Sequence, residues 1–379
     1  MLRNFWFQLH WLLGITAGTL LSVVGVTGGL LSFEHELLHL INADVMNVVP
    51  RDTPRLTPDE LVARVKTVSD RPVLSISLAG EPDHAATVIF AADNPAARGG
   101  ELVFFDPYTG EVLGKPRGKG FFSAVMGLHR WLLAGEAGKQ LVGASTVALL
   151  VLSASGLYLR WPRRFTDLRR WLTFHWSLTG RAFLWNLHSV IGTWMLPLYI
   201  LASITGLYWS YDWYRTGMFN LAGVERPARL GPPGREPVTA PLPEVALDTA
   251  WQAFNGAVPA YSTVRMQLPR RPGEPLSLSY MDPDAPHERA FNQMRIEPTG
   301  GAVLEHRRYA DKSLNEKLMG SMLPLHSGSF FGTPVLIAMM LASLAMPLFT
   351  ITGWMLYLDR RKRQTRNAKC QQASANSAV

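Results

Sequence analysis

Four histidines occupy positions where an ionisable side chain needs a reason. Leu9-His10 is followed at +4 by Gly14, at +17 and +18 by Thr27-Gly28, and at +22 by Ser32. Leu187-His188 is followed at the same spacings by Gly192, Thr205-Gly206 and Ser210, with no gap. A second pattern also recurs: Leu128-His129 with Ser155-Gly156 at +26 and +27, and Leu325-His326 with Thr352-Gly353 at the same offsets. Two histidine-bearing apolar units, each written twice in the same order, describe a duplicated chain. A histidine in or at the edge of an apolar span is costly and marks function by default. If the two halves pack about an axis along the membrane normal, His10 faces His188 at one level and His129 faces His326 at another. Two histidines facing each other are what a six-coordinate b-type haem requires of its protein. The arrangement predicts two haems b, and electron transfer between two levels. Glycines at 14, 28, 156, 192, 206 and 353 would admit a flat macrocycle between helices. The same small residues also suit close helix packing in lipid, and the two roles are compatible.

Other histidines leave alternatives open. His35 and His39 share one helix face, a spacing suited to a metal or a haem edge. Their counterparts in the second half are Trp213 and Gly217, so that site is not duplicated. Either one is an alternative ligand to the haem of the His129–His326 level. Together with Glu34 and Glu36 they form a candidate iron transit site, against the plainer reading of a solvated helix end. His175 reads as interfacial, and His84, His287 and His306 as surface residues. The tryptophans cluster at span ends as an aromatic belt. Met339, Met340, Met346 and Met355 read as packing residues.

The elements that must position these residues are transmembrane helices. Four uncharged windows, Trp11–Phe33, Leu141–Leu159, Ala182–Tyr211 and Phe330–Leu358, each have enough apolar residues to cross a bilayer. The first exceeds the apolar core of a signal peptide and has no small-x-small site after it. Pro197 and Pro347 fall inside spans and predict kinks. The 379 residues are 47% hydrophobic with a net charge of +8, which would suit nucleic acid if the basic residues gathered on a folded domain. Instead they sit at Arg3, between the second and third spans, and after the fourth. By the positive-inside bias this is a topology signal: both termini are cytoplasmic and two large loops face the far side, which in a bacterial inner membrane is the periplasm. The single cysteine, Cys370, excludes an internal disulfide and a c-type haem attachment.

The reading divides the chain into a cytoplasmic N-terminus and first span (1–33), a first outer domain (34–138), a second span (139–160) and a basic cytoplasmic loop (161–181). A third span (182–211), a second outer domain (212–329), a fourth span (330–358) and a basic cytoplasmic tail (359–379) follow. Each outer loop reads as a small α+β domain. In the first, Thr57-Pro58-Asp59-Glu60 is a capping box with Pro at the first helical position, opening a helix over Pro58–Val68. Strands are predicted at Val73–Leu78, Ala86–Ala91 and Glu101–Phe105. In the second, an extended Pro/Gly-rich linker, Gly223–Pro243, leads to a helix at about Glu244–Phe254. Strands are predicted at Thr263–Leu268, Leu276–Tyr280 and Phe291–Ile296. A Pro-x-Thr-Gly or Pro-Thr-Gly turn closes both modules.

A span, a small α+β module ending in Asp106-Pro107-Tyr108-Thr109-Gly110-Glu111-Val112, and Leu128-His129-Arg130-Trp131-Leu132 before the next span resemble the PepSY-associated transmembrane family, often labelled iron-regulated membrane proteins. The resemblance runs from about Phe5 to Arg363. Within that family the doubled half and the histidine pattern are most similar to the inner-membrane ferrisiderophore reductases of the ferrioxamine type. It implies two PepSY-like periplasmic domains, haem between the spans, and reduction of a ferric siderophore on the periplasmic side. The siderophore rests on the resemblance alone. The sequence holds no Walker A motif, no Gly-x-Gly-x-x-Gly after a strand, and no His-Glu-x-x-His or Gly-x-Ser-x-Gly element. A reductase of this kind takes its electrons from a separate quinol or cytoplasmic donor. Two rivals stand beside it: a PepSY-type regulatory or chaperone-like protein without redox activity, and a haem protein with a quinol-linked or other redox partner.

Overall fold

The computed structural model of the chain describes residues 1–92, 100–162, 164, 167–226 and 247–376. Most of the linker expected over Gly223–Pro243 lies outside them. In chain order the first half comprises α1 (Leu2–Leu31), α2 (Glu34–Ile41), α3 (Ala43–Met46), α4 (Pro58–Val68), β1 (Val73–Ala79), β2 (Ala86–Phe90), β3 (Glu101–Phe105), β4 (Val112–Gly114), α5 (Lys119–Trp131) and α6 (Gly135–Arg160). A short α7 (Leu168–Leu172) follows. The second half comprises α8 (Gly180–Ser210), α9 (Asp212–Ala222), α10 (Leu247–Ala257), β5 (Thr263–Gln267), β6 (Leu276–Met281), β7 (Asn292–Ile296), β8 (Val303–Arg307), α11 (Leu314–Gly320), α12 (Met322–Ser327), α13 (Thr333–Leu344) and α14 (Met346–Asn376). The chain falls into two compact units. One is helical and holds 1–33, 121–218 and 322–379; the other holds 34–120 and 219–321.

Among the described residues of the helical unit four helical segments are long and apolar enough to cross a membrane: Leu2–Leu31, Gly135–Arg160, Gly180–Ser210 and Thr333–Asn367, the last running through α13 and α14. Their packing closes a ring, with α1 on α6 and α14, and α8 on α6 and α14. Small residues on α1 allow that closeness. A side chain at Gly25 would meet the Ser343 carbonyl at 2.5 Å, and one at Gly29 would meet Leu344 at 2.7 Å. Thr350 seals the α1–α14 seam by donating to the Gly18 carbonyl at 2.9 Å, with Ser22 Oγ 2.8 Å from its hydroxyl. The two prolines behave differently. Pro197 lies inside the unbroken α8, whereas Pro347 follows the break at Ala345 that separates α13 from α14. A proline removes one helix donor and crowds the preceding turn, so at a break it costs nothing further.

The boundaries drawn from sequence need one correction. Residues 121–138, 212–218 and 322–329 were assigned to the outer domains, yet they belong with the spans. Much of α5 is amphipathic rather than uniformly apolar, so a hydropathy window passes over it. It nevertheless carries His129 into the bundle, where Gly28 on α1 leaves room for the ring.

The second unit contains both predicted helix-and-strand modules, and nearly every predicted element is in place. They are joined more tightly than two separate domains. One antiparallel sheet of eight strands runs β4-β3-β2-β1-β5-β6-β7-β8. The join is the pairing of β1 with β5, Ser77 opposite Arg265 and Ala79 opposite Thr263. An unpaired strand edge invites a partner, and here each module covers the other's. The helices α4 and α10 cap each other in the same reciprocal way. Asp59 accepts from the backbone N–H groups of Leu247 and Asp248 at 3.0 and 2.9 Å, and Asp248 accepts from the Asp59 N–H at 3.1 Å. Carboxylates at helix N-termini satisfy orphan donors and the helix dipole together. Alternate strand residues such as Ile76, Val88, Phe105, Leu278 and Met294 form the core against α4 and α10.

Candidate haem-ligating site

Helices α1 and α6 run antiparallel, so the start of one lies beside the end of the other. This puts His10 of α1 next to Ser155-Gly156 of α6, and puts His129, just before α6, next to Thr27-Gly28 of α1. The second half repeats the arrangement, with His188 beside Thr352-Gly353 and His326 beside Thr205-Gly206. The dipeptides marked in the sequence as repeat signatures are therefore clamps for the histidine of the neighbouring helix.

Each clamp has two parts. The hydroxyl lies on Nδ1: Ser155 at 2.8 Å from His10, Thr352 at 2.8 Å from His188, Thr27 at 3.2 Å from His129, and Thr205 at 2.9 Å from His326. The adjacent glycine leaves room for the ring. A Cβ at Gly28, Gly156 or Gly206 would stand 3.1, 3.2 or 3.3 Å from the Cε1 atom it faces, and one at Gly353 would stand at 3.8 Å.

The hydroxyls also favour one tautomer. Each already donates its one proton to a carbonyl of its own helix: Ser155 to Leu152, Thr27 to Val23, Thr205 to Leu201 and Thr352 to Leu348, at 3.2, 2.7, 2.7 and 2.6 Å. A hydroxyl that has given its proton can only accept. Nδ1–H of each histidine is therefore the donor, and His129 Nδ1 has the Val24 carbonyl at 2.9 Å as a further acceptor. Nε2 is left with its lone pair. A hydrogen bond at the ring nitrogen that does not meet the metal fixes the tautomer and ring orientation of metal-ligating histidines.

The rings then pair as the spacing predicts. His10 and His188 have ring centres 6.3 Å apart, and so do His129 and His326. Two metal–imidazole bonds of about 2 Å each fill most of that distance, and the remainder corresponds to two ring radii. The two levels are far apart: His10 to Thr27 is 17 residues of helix, about 26 Å at 1.5 Å per residue. At the first level the histidines line a cavity of about 1590 Å³, ample for a macrocycle. Gly14, Gly156, Gly192 and Gly353 form part of its wall, as do Arg3, Arg160, Arg181, Arg360 and Arg361, and none of its lining residues is an aspartate or glutamate. Arg181 is paired with Asp359 at 3.0 Å; a cluster of arginines on a wall without carboxylates suits the two carboxylate arms of a b-type haem. At the His10–His188 level donor chemistry, glycine cradles and cavity size all fit that group; at the His129–His326 level the donor chemistry and the glycine cradles do.

The remaining sequence candidates separate. His35 is exposed and His39 lies in the sheet-bearing unit, with its ring 6.3 Å from His84. His129 finds His326, so neither His35 nor His39 is needed as a substitute. Glu34, Glu36, His35 and His39 do not converge. Among the described residues, the group able to hold an ion is Glu81, Asp83 and His84. His175 is exposed. His306 is exposed but bonded to the Tyr280 hydroxyl at 2.6 Å. His287, expected at the surface, is 7% exposed. Its Nδ1 accepts from the Arg289 N–H, and Nε2 contacts Ser321 and Tyr309 at 3.0 Å each. Burial holds its pKa below the ordinary histidine value. Its polar surroundings come from the distant residues 309 and 321, which local sequence could not reveal.

Sequence reasoning missed two features near the cavity. Arg160, at the end of α6, donates to the Ser189 carbonyl at 2.7 Å and to the Thr193 hydroxyl, tying α6 to α8. In the middle of the bundle Tyr199 is 7% exposed and donates to the Ala342 carbonyl at 2.7 Å. Its ring lies 5.8 Å from Phe349, which lies 5.4 Å from His188. Comparing the two halves of the sequence position by position would have shown both, because neither has a like residue in the other half.

The family model for the PepSY-associated TM region matches residues 7–360. The chain belongs to that family. It is also similar to an uncharacterized protein of Pseudomonas aeruginosa PAO1, PA4219, at 27% identity over 218 residues, 54% of each chain. The match thus spans about half the length of that relative.

Proposed function

We propose that this chain is a di-haem b-type reductase of the bacterial inner membrane that delivers electrons to Fe(III) held by a siderophore on the periplasmic side. The observation that carries the reading is the fourfold clamp: four imidazoles, in two facing pairs, each with Nδ1–H bound and Nε2 left as a donor. Bound haem would supply one-electron chemistry. His10 and His188 would hold one group, and His129 and His326 the other. Ser155, Thr352, Thr27 and Thr205 keep the rings turned toward the pair axis. The glycines beside them keep the space flat, and the apolar bundle keeps water out. The arginines lining the cavity at His10 and His188 would neutralise the haem's carboxylates. The two joined modules of the second unit are read as PepSY-like domains in the periplasm, with both chain termini cytoplasmic, from the distribution of Lys and Arg. A quinol or a cytoplasmic reductase would provide the electrons.

The siderophore follows from family resemblance, so it is tested directly. Purified protein, reduced with dithionite and desalted without oxygen, is mixed with ferric hydroxamate siderophore and a ferrous-specific chelator. The proposal predicts reoxidation of the absorption spectrum with one Fe(II) trapped per electron lost. A spectrum that stays reduced in the presence of the chelate contradicts it.

A further inference from the structure

A second cluster of metal-ligating side chains lies in the sheet-bearing unit and plays no part in the reading above. Glu81, Asp83 and His84 stand in the turn between β1 and β2. Their ligand atoms all lie within 4.8 Å of one another. His84 Nδ1 is 2.9 Å from Asp83 Oδ1 and 3.5 Å from Glu81 Oε2. Ligands held about 2 Å from one ion lie roughly 3–4 Å apart, so the group needs little movement to close on one. His39, on α2, stands outside this three-residue group, with its ring centre 6.3 Å from that of His84, close enough to supply a fourth donor by a side-chain rotation.

The turn is held in place by backbone bonds rather than by its side chains. Asn47 and His84 form an isolated bridge. The Val48 N–H donates to the Asp83 carbonyl at 2.8 Å, and the Ala85 N–H to the Met46 carbonyl at 2.9 Å. The Tyr108 hydroxyl donates to the Pro82 carbonyl at 2.9 Å. The donors are thus presented on a rigid frame while remaining accessible: the His84 side chain is 34% exposed, Asp83 57% and Glu81 70%. Two imidazoles with two carboxylates make a mixed nitrogen and oxygen set suited to divalent first-row transition ions, and not to a soft monovalent one.

We propose that Glu81, Asp83, His84 and His39 form a binding site for a divalent transition-metal ion. This site does not depend on haem in the spans. The test uses the full-length protein in detergent, stripped with chelator, with Zn²⁺ titrated by calorimetry and Co²⁺ by its visible absorption. The four intramembrane histidines remain in every variant and give a constant background. Wild type is expected to bind one ion more than His84→Ala. Asp83→Asn and His39→Ala should each weaken that ion at least about tenfold, while His35→Ala leaves it unchanged. These side chains are exposed or half-buried and lie outside the apolar core, so the elution profile of each variant should match wild type. Equal ion counts in wild type and His84→Ala would overturn the site, and unchanged affinity in His39→Ala would overturn the four-ligand assignment.

Discussion

The two halves of the helical unit agree at the histidines and disagree between them. In both, a hydroxyl and a glycine from the neighbouring helix hold the imidazole. Between the two levels the first half has Leu21 and Leu152, where the second has Tyr199 and Phe349 at matching positions. All four line the same cavity. Arg160 at the end of α6 likewise matches Tyr357 in the second half, whose ring stacks on Trp11 at 5.0 Å. The matched parts are those that the proposed ligation requires; of the unmatched ones, Leu21, Leu152, Tyr199 and Phe349 are filling, and Arg160 ties α6 to α8. A ring must be both turned and accommodated, which leaves few choices of residue. Filling tolerates a leucine or an aromatic, provided the volume is used and any hydroxyl finds a partner.

That contrast can be broken most severely at the four paired histidines. His10→Ala and His188→Ala should give the same product, a protein lacking the haem of that pair and retaining the other, because either loss breaks one pair. Two distinguishable products would show that the histidines do not act together. Next in size is the hydroxyl. Thr352→Val and Ser155→Ala remove the acceptor for Nδ1–H, and haem affinity at that pair should fall about 10–100-fold, read by haem transfer to apomyoglobin. The glycines sharpen the comparison between halves. Gly156→Ala places a Cβ 3.2 Å from the His10 ring, whereas Gly353→Ala places one 3.8 Å from His188, an ordinary contact. Haem retention should drop in the first variant and hold in the second. The smallest effect belongs to the filling: Tyr199→Phe forfeits one buried hydrogen bond, about 1 kcal/mol of thermal stability, with haem content unchanged.

Much of this was legible in the sequence because it obeyed short rules. The capping box at Thr57–Glu60 marked the start of α4, and alternation with turn residues marked β1 to β3 and β5 to β7. The repeated His, Thr-Gly and Ser-Gly spacings identified the four residues that pair. Other features depend on distant parts of the chain. Nothing local to Val73–Ala79 says that its free edge meets Thr263–Gln267, so two modules were read where one sheet exists. The amphipathic α5 carries no continuous apolar run, so its place beside the spans was hidden. Ser155 and Thr27 were visible as repeat marks, but their role as acceptors depends on the antiparallel pairing of α1 with α6. His39 and His84 are 45 residues apart in the sequence, and only the fold brings their rings together.

The most direct test is haem per chain in detergent-purified wild-type protein, measured as the pyridine haemochrome against quantitative amino-acid analysis after expression with ample haem. The account predicts two haems b per chain and a reduced spectrum of bis-histidine type. A colourless protein, with the four histidines intact and the chain folded, would contradict it.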